Sequence, residues 1–531
     1  MAKQERKGEV EESNRMWASA SFVGVLIIVG LPLWWKTTEV YRVSLPFDKI
    51  SSFNSLPHSI TTELTVLAND DATAAEIVGL IEKAFEDIDV IKLKITKSII
   101  PKQLHSTLDS VADELEAVEE VGATFDLTRH NSFYVVQRKP LFQDVWLAAD
   151  RVLFFRDARA ATTIVEALKR VVYQTSVLEG AKSEVADAAR QTRFPPGAGY
   201  HIVLSVVHPN PDSLHVDLDA GEAVEDYIGS FVDELSVLHN FTLKSQWLHL
   251  LDFDFQAKEV KDISEWGRHF AVRQERLQLL LTRLEERAAT HVSDLPTVNL
   301  ALYAVRCQTA PLAIYDLNDQ KIPSAVQAFM SPKWGGVVLG SPSAGDCRDA
   351  PATWQPNVRQ IMGIFISQLR KLLGITDPEH ITGAHLEPLR SVTPRQWEID
   401  NLLRIRTLEQ LTSAERTLQS LAQLLGEISN IVINDDVGAS INSAVDSIQR
   451  ASELMMQGDL VEAYKMSQAA FLAAETAFME PSLLALLYFP DDQKYAIYIP
   501  LFLPIMFPVV LSLKNLLLWF RGKPIHKEKT D

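Results

Sequence analysis

Cysteine is nearly missing from this chain: its 531 residues include only Cys307 and Cys347. A cysteine nucleophile needs a thiolate beside a histidine, and no histidine lies within ten residues of either one. Positive charge is also in deficit, with 51 Lys and Arg against 69 Asp and Glu and a formal charge of −18. Such acidity repels phosphate backbones, which leaves no nucleic acid among the expected partners, and it opposes broad adhesion to anionic lipid. Both phosphate-cradling motifs, the P-loop and the dinucleotide fingerprint, are absent, and so are H-E-x-x-H and G-x-S-x-G. Long uncharged apolar runs are confined to the two ends, leaving roughly 460 residues between them.

What is there is ordinary for a globular core, with 47% apolar and 23% charged residues. The middle is long enough for one large domain or two intimate ones. Met1–Met16 carries four basic and four acidic residues, while Arg521–Asp531 carries four and two, and Lys514 adds one more base. The middle therefore holds −21, which is read as a soluble, solvated surface.

Trp17–Trp35 (WASASFVGVLIIVGLPLWW) is uncharged over 19 residues, about the thickness of a bilayer core at 1.5 Å per residue. Arg15 and Lys36 bracket it, and tryptophans stand at its ends. Its bulky exit, LPLWWKTTE, does not resemble a signal-peptide cleavage site, so an uncleaved anchor is expected. Tyr495–Ser512 is a second uncharged run, continued by Leu516–Phe520 after Lys514 and Asn515. The basic residues beyond it place the C-terminus in the cytosol by the positive-inside rule. Two spans then put both ends there and the middle in the lumen. Pro500, Pro504 and Pro508 recur every four residues on one face. The backbone carbonyls they free need cover from a neighbouring helix. Ala20 and Gly24 form a small-xxx-small pair in the first span that allows close packing.

Three markers bear on compartment. Asn240-Phe241-Thr242 is a sequon in the expected luminal part, making Asn240 a glycosylation candidate. Cys307 and Cys347 would share an oxidising compartment and are expected to form one disulfide, with two buried thiols as the alternative. Lys529 and Lys527 stand third and fifth from the end, similar to a dilysine retrieval signal of endoplasmic reticulum membrane proteins.

Within the lumen, strands are predicted at Ile60–Ala68, Val90–Ile95, Phe133–Gln137, His201–Val207, Ser245–Phe253, Asn299–Val305, Pro311–Tyr315 and Trp334–Leu339. Helices are predicted at Ala74–Glu86, Leu104–Val121, Ala223–Leu238 and Trp266–Arg287, with a break at Phe194–Gly199. From Val358 the pattern turns helical: Val358–Leu373, Pro394–Ile428 with Ser413 as an internal cap, Ile441–Met456 and Leu460–Phe478. The expected fold class is α+β: a mixed α/β luminal domain followed by a helical layer, flanked by two transmembrane helices. The divisions are 1–16 and 521–531 as cytosolic tails, 17–35 and 495–520 as spans, 36–392 as the α/β domain, and 393–494 as the helical region.

Two groups of ligand-type side chains invite a metal reading: His215, Asp217 and Asp219, and His249, Asp252 and Asp254. Alternate strand residues share a face, yet a site needs further ligands and support around them. Solvated strand faces are the simpler account, and no metal or cofactor is expected. Trp334-Gly335-Gly336 reads as a turn at a strand start with its tryptophan in the core, or as an exposed interaction loop.

The segment leaving the first span, GLPLWWKTTEVYRVSLPF (Gly30–Phe47), resembles the same region of the PIG-S family, the S subunit of the GPI transamidase complex. FMSPKWGGVVL (Phe329–Leu339), SVTPRQWEIDNLLR (Ser391–Arg404) and the two-span layout resemble that family as well. The resemblance implies an accessory, non-catalytic subunit of an endoplasmic reticulum assembly that cleaves a C-terminal signal and attaches a GPI anchor. It implies that the catalytic Cys and His sit in a caspase-like partner subunit, with the remaining membrane subunits and lipid as neighbours. The alternatives from the residues alone are an autonomous, membrane-anchored luminal enzyme and a luminal binding module.

Overall fold

A computed structural model describes residues 2–38, 41–56, 58–182, 193–195, 197, 199–253, 256–261, 267–288, 295–348, 351–389, 391–427, 431–481, 483 and 491–521. They divide into two compact units. One comprises Ser52–Arg416 and Ala444–Leu472; the other comprises Met1–Ser51, Thr417–Ser443 and Ala473–Asp531.

The larger unit holds two main sheets. In the first, six strands run from edge to edge as Ala384–Leu386, Val145–Leu147, Val152–Phe155, Ser132–Gln137, Ile60–Ala68 and Ile91–Ile99. Ile60–Ala68 (ITTELTVLA) is rich in β-branched residues, and buried positions alternate with half-buried ones until its last three residues, all buried. Asp70 ends it and caps the next helix, Asp71–Phe85, by accepting from the Thr73 amide. That helix leads to the edge strand Ile91–Ile99. The chain then returns past Ile60–Ala68 to Ser132–Gln137 on its other side, a reversal typical of doubly wound sheets. The return was expected as one helix over Leu104–Val121. It is two, Lys102–Ser110 and Glu114–Thr124, because Val111 is extended and Asp113 caps a new start at the Leu115 amide. These helices pack Leu104, Leu108, Ala117 and Val121 against Leu67, Val136 and Phe154 of the sheet.

The second sheet runs Gln327–Ser331, Gly335–Gly340, Thr297–Ala304, Gly199–His208, Asn240–His249, all parallel except the first pair. The strand expected at Ser245–Phe253 begins at Asn240, because its whole length pairs with Gly199–His208. The helix expected at Trp266–Arg287 is corrected too. Arg268–Arg273 is a strand, held between Lys258–Lys261 and Leu312–Tyr315, and only Gln274–Arg287 is helical. Over Ala223–Leu238 the structure has short helical pieces, including a π turn at Val224–Gly229.

Helices follow: Val358–Leu373, Gln396–Glu427, Asp435–Gln457 and Leu460–Phe478. The first is framed as its sequence dictates, with Asn357 accepting from the Gln360 amide and Gly374 closing it at φ 105°. Ser413 is not a cap. The helix Gln396–Glu427 passes through it unbroken, and buried side chains surround that stretch. Mixed sheets joined to helices make this an α/β-type core, as the fold class expected.

In the smaller unit, Ala2–Val25, Leu26–Gly30 and Leu31–Thr38 follow end to end as helix, with one π turn in the middle. Within it, Met16–Leu33 is long and apolar enough to cross a membrane. The helix Asp491–Phe520 contacts the first helix, and its apolar stretch Met506–Phe520 is shorter.

Candidate functional site

Two of the sequence motifs turn out to be structural clasps. In the smaller unit, the segment leaving the apolar helix is stitched to the helical region. The Val43 amide donates to the Ile433 carbonyl and the Ile433 amide to the Tyr41 carbonyl, both at 3.1 Å. Arg42 reaches the Leu425 carbonyl, and the Tyr41 hydroxyl donates to Asp435 at 3.0 Å. Gly438 permits this approach, since a Cβ there would stand 2.9 Å from the Val43 side chain.

The second clasp, inside the larger unit, is the polar spine along the first half of the helix Gln396–Glu427, from Trp397 to Glu409. Asp400 accepts from Arg151 Nε at 2.7 Å and from its Nη2 at 2.8 Å, a two-pronged pair with both side chains buried. It also accepts from the Asn131 amide and lies 2.8 Å from His130. Burial by itself would raise the Asp400 carboxyl. The hydrogen bonds from Arg151 and His130 and the charges of Arg151 and Arg404 overcome that and hold it at about 2. Arg404 donates to the Asn131 side chain and covers the Tyr173 ring. Asn131 adopts φ 61° and bonds the Thr61 and Gly458 carbonyls, so one residue ties a strand to two helical segments. A little further along, Glu398 pairs with Arg370 and Arg395, and Glu409 with Arg193 and Arg406. Trp397 donates to the Ala148 carbonyl at 2.9 Å.

Chemically, this spine positions rather than reacts. A carboxylate held at about 2 and clamped by a guanidinium has no proton to trade at neutral pH. Sequence reading missed the network. The signal available was the density of charges, WEIDNLLRIRTLEQL, in a helix whose apolar residues leave no solvent face.

The individually named residues fall as follows. Cys307 and Cys347 are joined by a disulfide, which uses every cysteine in the chain and leaves no thiolate while it stands. Asn240 is exposed at the start of an edge strand, and Thr242 is exposed with it. Ala20 and Gly24 are half-buried, with open space at Gly24. Pro500, Pro504 and Pro508 lie exposed within one helix, while Val509 is buried. Lys527, Lys529 and Asp254 fall outside the described residues. Asp252 is committed to the Tyr303 hydroxyl and to Arg306. Asp219 caps a helix, and His249 stacks on Trp247. Among the described residues no three metal-type side chains converge. Trp334 is buried, and Gly335 and Gly336 sit where a Cβ would strike Asn299 and Gln368, so Trp334-Gly335-Gly336 packs rather than projects.

Fold and sites together define a mixed α/β protein with a helix apolar enough for a membrane and with buried ion pairs inside its larger unit. The chain belongs to the family described as PIG-S, phosphatidylinositol-glycan biosynthesis class S protein, whose pattern matches residues 21–523. It is similar to the GPI-anchor transamidase component PIGS of Rattus norvegicus, 33% identical over 97% of each chain. The Homo sapiens protein of that name is 32% identical over 98% of each. The GPI transamidase component GPI17 of Saccharomyces cerevisiae is 22% identical over 92% of this chain and 90% of its own.

Proposed function

We propose that this chain is a non-catalytic, structural subunit of the GPI transamidase complex of the endoplasmic reticulum membrane. The observation that carries the reading is the extent of the likeness, since relatives named as transamidase components match nearly the whole chain. The structure supports it from another side. Both cysteines are tied together, and the buried acids Asp400 and Glu398 are each held by arginine. The cleavage and transfer chemistry then belongs to a caspase-like subunit that supplies Cys and His.

In this reading 17–35 and 495–520 span the membrane and 1–16 and 521–531 are cytosolic tails. Residues 36–392 and 393–494 are luminal, and Asn240 carries a glycan. The exposed face of Pro500, Pro504 and Pro508, with Ala20 and Gly24, receives helices of neighbouring subunits. Lys527 and Lys529 serve as the retrieval address. Affinity purification of the full chain from gently solubilised membranes is expected to bring down a caspase-like protein in fixed proportion. Recovery of the chain alone in mild detergent overturns the reading.

A further inference from the structure

The first sheet ends in a bare edge. Ile91–Ile99 is nine residues long, pairs only with Ile60–Ala68, and no described strand lies on its outer side. Such an edge exposes a row of backbone donors and acceptors and invites another strand. The opposite edge of that sheet is the three-residue Ala384–Leu386, too short to invite much. The other long edge, Asn240–His249, begins at the sequon.

A groove runs beside this bare edge, about 560 Å³ in volume, between the strand and the helix Asp71–Phe85. Phe85, Ile88, Ile91, Leu93 and Ile95 give it an apolar floor. Gly79 opens it, since a Cβ there meets no atom within 4 Å. The strand's two faces differ in kind. Ile91, Leu93 and Ile95 line the groove and alternate with the exposed Lys92 and Lys94, so the strand turns the two sets to opposite faces, with Lys92 also at the groove's margin. Lys94 reaches Glu63 only at 3.5 Å, with 69% of its side chain in solvent.

We propose that the outer edge of Ile91–Ile99 is a strand-addition site for an extended segment of a partner protein in which apolar and acidic side chains alternate. Backbone hydrogen bonds extend the sheet, apolar residues enter the groove, and acidic residues on the opposite face meet Lys92 and Lys94. Along the groove Glu82, Glu86 and Asp89 outnumber Lys83 and Lys92, which favours the partner's acids on the opposite face. The lysines also oppose pairing between two copies of this chain, so the occupant is a different polypeptide. The inference rests on the free edge, its groove and its lysines, and stands apart from the transamidase reading.

The test uses the full chain in detergent and three synthetic nine-residue peptides. One alternates valine and glutamate, one has the same composition with the two segregated, and one alternates valine and lysine. The alternating glutamate peptide is expected to slow amide exchange across Ile91–Ile99, and the segregated one is not. Gly79→Leu sets its Cβ in open space beside the groove and improves helix propensity, so it should fold as stably and bind about tenfold more weakly. Lys92→Glu with Lys94→Glu should reverse the preference toward the lysine peptide by about fivefold. Protection elsewhere or not at all overturns the proposal. So does unchanged binding by Gly79→Leu, or a charge-reversed chain that still prefers glutamate.

Discussion

Replacing Asp400 with asparagine isolates the centre of the polar spine. The shape stays, but Arg151 keeps its charge at 0% exposure and loses its carboxylate. Breaking one side of a buried pair costs about 3–5 kcal/mol, because the remaining charge is uncompensated. A second route gives a similar figure. Holding the carboxyl at about 2, against an ordinary value of 3.8, corresponds to about 2.4 kcal/mol of stability at neutral pH. The sign follows from the lowered value: this contribution is complete above about pH 4 and is lost as pH falls toward 2. The expected loss for Asp400→Asn is therefore about 2.5–5 kcal/mol. A chain of two units need not unfold in one step, so the assay is native-state hydrogen exchange on the amides of Ile60–Ala68 and Ser132–Gln137. Arg151→Met alone should cost a similar amount, since it strands the acid. Combined with Asp400→Asn it should restore much of the loss. A loss below about 1 kcal/mol for Asp400→Asn, or a double variant as unstable as the sum of the two, refutes the reasoning.

Four further outcomes are expected. The bridge between Cys307 and Cys347 closes a span of 40 residues, so Cys307→Ser should cost about 4 kcal/mol in the chain-entropy account and loosen exchange between those positions. Burial, with the charge of Arg406, pushes His239 down to about 3 against the Gly197 backbone contact. Stability is thus full above about pH 6.5, falls by about 2 kcal/mol at pH 5, and loses that slope in His239→Gln by denaturant titration at the two pH values. Gly335→Ala places a Cβ 1.7 Å from the Asn299 carbonyl at φ 149°, and should destabilise the second sheet by about 3 kcal/mol or more, read as a lower denaturation midpoint. Asn240→Gln should abolish an endoglycosidase-sensitive mobility shift of the chain expressed in cells, leaving its abundance little changed.

Much of the α/β alternation was legible from the order of residues. Ile60–Ala68, Val358–Leu373 and Leu460–Phe478 form over the residues their periodicity indicates. Where periodicity was ambiguous, tertiary pairing decided. The Arg268–Arg273 stretch looks like the start of a leucine-rich helix until Leu312–Tyr315 and Lys258–Lys261 take its two edges. Asp252 and Asp219 stood near histidines and looked like ligands. Their partners, Tyr303 and Arg306 for one and a helix start for the other, became visible only in three dimensions.

The sequence by itself determined the apolar helix at Met16–Leu33, the acidic middle, the alternation of strand and helix, and the family. Each of these is written in nearest neighbours: charge counts, runs, periods and a contiguous motif. Tertiary structure decided what those motifs are for. SVTPRQWEIDNLLR identifies the family as a string, yet its Asp400 acts through Arg151, 249 positions away. Nothing in local spacing sets that distance. It is set by the folded interior, where a charge persists only if the chain brings its partner to it.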